Sequence, residues 1–424
     1  MLQVKNTSLM AEDSTDSSVL VIGLGFVGLT FALHAASNGL RVYGLEKDPT
    51  VVAAINGGNA HFREDGINEV LASHLNKNFH VATVQDGFPG VEFGAVVITV
   101  GTPVAAGGHV NMEQLNAAWS TALASVRDGG LIILRSTVAV GTSRRLAKQA
   151  KSSRNVVVAF CPERTVEGAA LDELSVLPQL VSQHPAGQEA HDFFSLIATD
   201  IVKCTSLEQA EAAKLLCNVY RDLHFSIANI FELACENMNL SPSETFAVAG
   251  ARYPRLSLPK QGFVGGPCLS KDAFILAGSL SDELIREWVL VGRRVHEKRL
   301  KESAAKIKGL LFSSDAAAKG RSVLLCGMAF KGEPATDDLR DSPSVELYNI
   351  ISGEAGVKTF VHDMEITTNN LKRHFEHVWT EQSSEQQTPI SLVVVINTHQ
   401  YYQCEDSLLL QKLGLNSKVE VMRL

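Results

Sequence analysis

The chain has 424 residues, 45% of them apolar and 20% charged, with a formal net charge of −8 from 38 basic and 46 acidic side chains. This balance excludes a disordered or collagen-like chain, and at about 150 residues per domain the length predicts two to three domains. No run of about 18 apolar residues occurs, which argues against membrane insertion, and an acidic total lacks the footprint of a nucleic-acid binder. Positive charge for an anionic ligand must therefore be gathered locally.

The cysteines Cys161, Cys204, Cys217, Cys235, Cys268, Cys326 and Cys404 are scattered, without a C-x-x-C pair. Neither a disulfide scaffold nor a metal site is expected. Residues 1–17 are polar and acidic, without the apolar core of a signal peptide, and read as a flexible tail on a cytoplasmic protein. Regular pattern begins at Ser18. Val19–Ile22 is a continuous apolar strand of the kind buried in a parallel sheet. A glycine-rich turn, a helix over 27–38 stopped at Gly39, and a strand over 41–45 ending at Glu46 follow. Further strands are predicted at 95–100, 131–135 and 156–160, with helical stretches between them. The alternation predicts a doubly wound α/β domain over 18–205. Residues 207–239 contain no Gly or Pro and carry helical spacing, so they form one long helix, ended near Pro242. A Gly/Pro-rich loop spans 250–267 and a helical stretch 272–311, giving a central helical domain over 206–312. Beyond a Ser/Ala/Gly linker at 313–320, strands at 323–326, 358–362 and 392–396 predict a smaller α/β domain over 320–424. The fold class is α/β: two Rossmann-like doubly wound domains joined by a central helical domain with a long spine helix.

Two constellations carry chemistry. The first is the turn Gly23-Leu24-Gly25-Phe26-Val27-Gly28, between a strand and a helix. Gly23 permits the tight turn, Gly25 lets backbone amides approach a pyrophosphate, and Gly28 lets helix pack on sheet. Glu46, at the end of the second strand, suits a ribose diol and repels a 2′-phosphate, so NAD is favoured over NADP, with Lys47 weakening the preference. The loops Val100–Pro103, with Thr102, and Ser136–Thr142, with Thr137, also follow strands, where ligands of open α/β sheets bind.

The second is the loop Gly262–Asp272, in which Cys268 follows a glycine run and opens a helix. A helix N-terminus and Lys271 would favour thiolate; a buried inert thiol is the alternative. The other six cysteines read as small core residues. Lys214 and Asn218 share a helix face and suit oxyanion stabilisation, or else are surface residues. Glu163, in Cys161–Gly168, reads as a general base or as the partner of Arg164 in a surface salt bridge.

These stretches together resemble the UDP-glucose/GDP-mannose dehydrogenase family. The likeness covers about residues 19 to 400 and rests on G-L-G-F-V-G, V-G-T-P, S-T-V-A-V-G-T, C-P-E-R-T-V-E-G, the Lys214/Asn218 pair, G-F-V-G-G-P-C-L-S-K-D and A-F-K-G-E-P-A-T-D-D-L-R-D-S-P. It implies NAD as cofactor, a UDP-sugar as substrate, a homodimer or higher oligomer built on the central helices, and four-electron oxidation of the sugar C6 alcohol to a carboxylate. By that likeness Cys268 captures the aldehyde and passes through a thioester. Lys214 and Asn218 stabilise oxyanions, Asp272 assists proton transfer, Glu163 aids hydrolysis and Thr137 orients a water. Glu167 lies near the nicotinamide and sugar. Substrate contacts are implied for Glu163, Arg164, Gly265, Phe330 and Lys331, with Arg340 as a further diphosphate candidate. Arg255 is implied to reach a neighbouring subunit's substrate.

The chain departs from its relatives at Gln179–Gln183, where a glycine pair is usual, at Pro267, and over 418–424, which lacks the usual strand-Asp pattern. The C-P-E-R form and Tyr253-Pro254-Arg255 resemble the N-acetylhexosamine branch. UDP-N-acetylmannosamine or UDP-N-acetylglucosamine is therefore the expected substrate and polysaccharide synthesis the expected use. UDP-glucose is the alternative sugar. A two-electron β-hydroxyacid dehydrogenase and a non-catalytic nucleotide-sugar-binding regulator are the alternatives in kind.

Overall fold

A computed structural model describes residues 18–105, 110–151, 154–182, 187–313, 321–380 and 389–424; the tail 1–17 and most of the 313–320 linker lie outside them. The chain forms two compact units: residues 1–61, 65–103 and 111–214, and residues 62–64, 104–110 and 215–424.

In the first unit, β1 (Ser18–Ile22), β2 (Arg41–Glu46), β3 (Phe79–Thr83), β4 (Phe93–Ile98), β5 (Val126–Leu134) and β6 (Val157–Phe160) form one sheet in the order β3-β2-β1-β4-β5-β6. Every pairing is parallel. β1 is buried along its whole length, because helices cover both faces of such a sheet. Leu20, Ile22, Val96 and Ile132 share a core with Leu115 and Trp119. A separate parallel pair, β7 (Gln179–Ser182) with β8 (Ile201–Cys204), completes the unit. The sequence reading names neither β3 nor this pair: β3 is a mostly half-buried edge strand, and the other two have four residues each.

In the second unit, β9 (Ser322–Cys326), β10 (Lys358–His362), β11 (Leu392–Val395) and β12 (Glu420–Arg423) form a parallel sheet in the order β10-β9-β11-β12. β12 occupies the segment 418–424, where the sequence reading names no strand; it is an exposed to half-buried edge with polar ends. Alternation along β9 sends Val323 and Leu325 to one face and Leu324 and Cys326 to the other. The first face packs on Leu300, Ala304, Ile307 and Leu311; the second on Phe360, Trp379 and Tyr402. The long helix is Leu207–Asn237, hereafter the spine helix. The predicted stretch 272–311 is two helices, Asp272–Gly278 and Glu283–Leu311. The break falls where Asp282 caps the second by accepting the Ile285 N–H at 3.0 Å.

Candidate functional site

In the first unit the glycine turn does what its spacing requires. Gly23 adopts φ +90°, and its N–H donates to Leu45 O at 2.8 Å. A Cβ on Gly28 would lie 1.8 Å from Gly23 O, so only glycine lets the helix Phe26–Ser37 seat here. A Cβ on Gly25 would meet nothing within 4 Å, and Gly25 starts the helix with no side-chain cap. The helix N-terminus at Gly25 thus lacks a side-chain cap and offers room for close approach, as an anion site needs. Glu46 is pinned beside them: Oε2 accepts from Leu24 N at 2.8 Å, and Oε1 from Lys47 N at 2.8 Å and Asp48 N at 3.1 Å. Each carboxylate oxygen retains acceptor capacity for a diol. Thr102 Oγ1 donates to Thr137 O at 2.5 Å and Ser136 Oγ to Val100 O at 2.6 Å, which ties the two post-strand loops together. The helix N-terminus, the glycine cradle and the terminal carboxylate fit a dinucleotide.

Glu163 is paired, but not with Arg164. Its partner is Arg135, at the end of β5, whose side chain is 0% exposed. Arg164 instead donates to Pro178 O. Arg135 lies over the Phe31 ring, 4.7 Å from its centroid, and Nη1 donates to Gln179 Oε1 at 2.9 Å. Gln179 thus completes this network. Glu163 also accepts from Arg164 N at 2.6 Å and Thr165 N at 2.9 Å. Burial works against its charge, yet Arg135 and the two amides outweigh burial and hold the carboxyl below the ordinary range. Glu163 is therefore a fixed carboxylate rather than a ready proton acceptor. Glu167 follows it, half-buried, in a turn completed by Gly168 at φ +87°.

The spine helix carries a stripe that the sequence reading catches only in part. Glu211, Lys214, Asn218, Asp222, Ser226 and Asn229 recur every three or four residues on one face, and all six are buried. Glu211 accepts from Gly141 N at 2.6 Å and Ser143 N at 2.7 Å, and burial raises its carboxyl. Asn218 Nδ2 donates to Asp272 Oδ2 at 2.6 Å. Asp222 holds Arg293 and His296. Among the described residues no carboxylate pairs with Lys214. A buried ammonium without a counter-ion is costly.

In the second unit the loop Gly262–Asp272 is seated on the segment 330–343. A Cβ on Gly265 would lie 2.4 Å from Asp341 O and Pro343 Cδ, and one on Gly266 would lie 2.5 Å from Phe330. Gly266, at φ +86°, donates its N–H to Asp341 O at 2.9 Å. Cys268 is exposed in the helix Gly266–Leu269. A four-residue helix supplies little of the dipole the sequence reading invokes. Lys271 likewise serves another group, donating to Asp272 Oδ1 at 2.6 Å. Cys161, Cys204, Cys235 and Cys326 are core residues as expected, and burial pushes the Cys161 thiol up to about 12. Cys217 is exposed and Cys404 half-buried, so the core reading fails for these two.

The same unit holds a cavity of about 290 Å³ lined by Lys260, Phe263, Phe330, Lys331, Ser344 and Asn397 among others. Lys331 Nζ sits 5.5 Å from the Phe330 ring centroid. Lys260 was missed in the sequence, where it is one lysine in a loop. Arg340 does not line this cavity, and its guanidinium forks onto Asp338, with Nε 3.0 Å from Oδ1 and 2.9 Å from Oδ2. Arg255 is exposed and stacks on Tyr253 at 4.7 Å.

The model of the UDP-glucose/GDP-mannose dehydrogenase family, NAD binding domain, matches residues 17–191, and that of the central domain matches 208–290. The UDP-N-acetyl-D-mannosamine dehydrogenase of Campylobacter jejuni is 28% identical over 378 residues, covering 84% of this chain and 88% of that protein. The corresponding protein of Escherichia coli K12 is 26% identical over 372 residues, covering 82% and 86%. The solved UDP-N-acetyl-mannosamine dehydrogenase of Staphylococcus aureus has the same fold, with a TM-score of 0.78 at 22% identity over 96% of this chain and 98% of that one.

Proposed function

The chain belongs to the UDP-glucose/GDP-mannose dehydrogenase family and is an NAD-dependent nucleotide-sugar dehydrogenase; from that premise we propose that it oxidises C6 of UDP-N-acetylmannosamine or UDP-N-acetylglucosamine to the uronate through a covalent intermediate on Cys268. The observation that carries this reading is the buried hydrogen bond from Asn218 of the spine helix to Asp272, beside an exposed thiol four residues before Asp272. NAD, when bound, accepts one hydride in each of two oxidations. The Cys268 sulfur adds to the C6 aldehyde, forming a C–S bond and an alkoxide that Lys214 and Asn218 stabilise. After the second oxidation the carbon is a thioester. Water attacks it, the C–S bond breaks, and the thiolate leaves with the uronate released; Asp272 relays the protons and Glu163 orients the water with Thr137. One oxyanion donor is worth about 3–4 kcal/mol in such chemistry, and covalent capture retains the reactive aldehyde between the two oxidations.

The second-unit cavity suits the nucleotide diphosphate, with Lys260 and Lys331 as local positive charge. Leu216, Tyr220, Ile227 and Phe231 are exposed at helical spacing on the spine helix, and a second copy of the chain would cover them, making a homodimer. Arg255 would then serve the neighbouring subunit. The product would feed surface-polysaccharide synthesis.

The test is NADH yield from limiting UDP-sugars. The preferred sugar gives two NADH per molecule, and Cys268→Ala gives no net turnover. A yield of one refutes the thioester route. Unimpaired turnover in Cys268→Ala points to a two-electron β-hydroxyacid dehydrogenase, and tight sugar binding without any NADH points to a regulator.

A further inference from the structure

We propose that Asp222, His296 and Asn229 form a buried chain of positioning residues that sets the Cys268 loop by gripping Gly262. The proposal rests on the reading of Cys268 as the nucleophile and adds what holds it in place.

Asn229 is fully buried. Its Oδ1 accepts from Gly262 N at 3.0 Å and its Nδ2 donates to Gly262 O at 2.8 Å. This two-point grip fixes both orientation and distance of the peptide unit at Gly262, whose φ of +151° suits glycine alone. The second Nδ2 hydrogen faces His296 Nδ1 at 3.3 Å, so Nδ1 must be an acceptor. His296 Nε2 then carries the proton, facing Asp222 Oδ1 at 3.1 Å and Ser226 Oγ at 2.9 Å. Burial, aided by the Arg293 charge, drives the imidazole down to about 3, so it stays neutral and the tautomer is single-valued. Arg293 in turn anchors Asp222, with Nε at 3.0 Å from Oδ2. Each donor and acceptor thus has one assignment: the Asp222 carboxylate sets the His296 tautomer, His296 sets the Asn229 amide, and Asn229 sets Gly262.

The spine helix consequently holds the loop at both ends. Asn229 grips its first residue, Gly262, and Asn218 grips its last, Asp272. Between them Gly266 is hung on Asp341 O. Cys268 sits inside a segment with no free end, which is what placing one sulfur against one carbon requires.

The experiment compares Asn229→Ala, His296→Asn and His296→Ala in the full-length protein, with Cys268→Ala in parallel. The readouts are steady-state kinetics on whichever UDP-sugar yields NADH, and amide hydrogen exchange by mass spectrometry. Asn229→Ala is expected to lower kcat about 10- to 100-fold, the range for lost supporting contacts, and to leave KM for NAD unchanged. Exchange should rise about tenfold or more in the 262–272 peptide while the glycine-turn peptide 23–28 is unmoved. In His296→Asn the side-chain oxygen replaces Nδ1 as the acceptor for Asn229, so loop protection should exceed that of His296→Ala. If Asn229→Ala does not fold, the two His296 variants decide alone. Wild-type loop exchange in a folded Asn229→Ala, or equal protection in His296→Asn and His296→Ala, overturns the proposal. Turnover surviving in Cys268→Ala fails the nucleophile reading instead, and the exchange data still judge the grip.

Discussion

Replacing Arg135 by Met tests how the first unit holds a charge in its interior. The guanidinium is 0% exposed and its partner Glu163 is 10% exposed at the side chain. Removing one member of a buried pair costs about 3–5 kcal/mol, because the remaining charge is left uncompensated. Lost stacking over Phe31 adds about 1 kcal/mol. The two contributions differ in their pH dependence. In the native protein Glu163 is held below the ordinary carboxylate range, so its contribution is present above about pH 4.3 and is lost as pH falls through the depressed native value. In Arg135→Met burial dominates and the carboxyl rises above about 4.3, so the penalty grows as pH rises from there and levels off beyond the new native value. Urea unfolding followed by circular dichroism should show a stability gap to the wild type that widens between about pH 5 and about pH 7.5. Adding Glu163→Gln removes the stranded charge and should restore about 2 kcal/mol or more at the higher pH. A gap that stays constant with pH, together with no rescue by Glu163→Gln, would refute the electrostatic account and leave Arg135 as a packing residue between Phe31 and Phe194.

Two further perturbations have separable outcomes. Gly28→Ala places a methyl 1.8 Å from Gly23 O, so it should lower stability by about 1–3 kcal/mol and also weaken NAD, whereas Gly25→Ala meets nothing in the protein and should lose NADH binding, read by fluorescence, at unchanged stability. Tyr220→Glu with Phe231→Glu puts charge on the exposed apolar stripe; sedimentation should show monomers, and an unchanged dimer mass would remove that face from the interface.

Some of this is plain in the sequence, for a physical reason. Strands covered on both faces, such as β1 and β9, read as unbroken apolar runs. Edge strands do not: β3 and β12 mix polar and apolar residues because one side meets solvent or is only half covered. The glycine turn and the Gly262–Asp272 loop stand out because glycine has local meaning. The Arg135–Glu163 pair is illegible, since its members are 28 residues apart and meet only because β5 and β6 are parallel neighbours whose carboxyl ends coincide. Of the buried stripe, Lys214 and Asn218 are readable as an i, i+4 pair. Asp222, Ser226 and Asn229 are three among many polar residues of the helix and acquire meaning only once Arg293 and His296 of the helix Glu283–Leu311 are known to face them.

The two α/β sheets also show how little separates a cofactor cradle from a structural wall. Gly23 and Gly327 follow the central strands β1 and β9, adopt φ +90° and +88°, and donate to carbonyls at the carboxyl ends of the neighbouring strands, Leu45 and His362, at 2.8 and 2.9 Å. Glu46 and Asp363 follow those carbonyls and accept from the turns. The turns read Gly23-Leu24-Gly25-Phe26-Val27-Gly28 and Gly327-Met328-Ala329-Phe330-Lys331-Gly332. In the first, Gly25 opens the helix, and a Cβ there would meet nothing within 4 Å. In the second, Ala329 replaces that glycine, and Asp363 takes the amides of Met328 at 2.6 Å and Ala329 at 3.0 Å. Burial raises the Asp363 carboxyl even so, against those amides. No helix opens there; the next begins at Pro343, capped by Ser342. The freed segment carries Phe330 against Gly266, Lys331 to the cavity and Asp341 beneath the cysteine loop. Amides already satisfied by the protein's own carboxylate are poor hosts for a pyrophosphate. The second turn therefore contributes through its side chains.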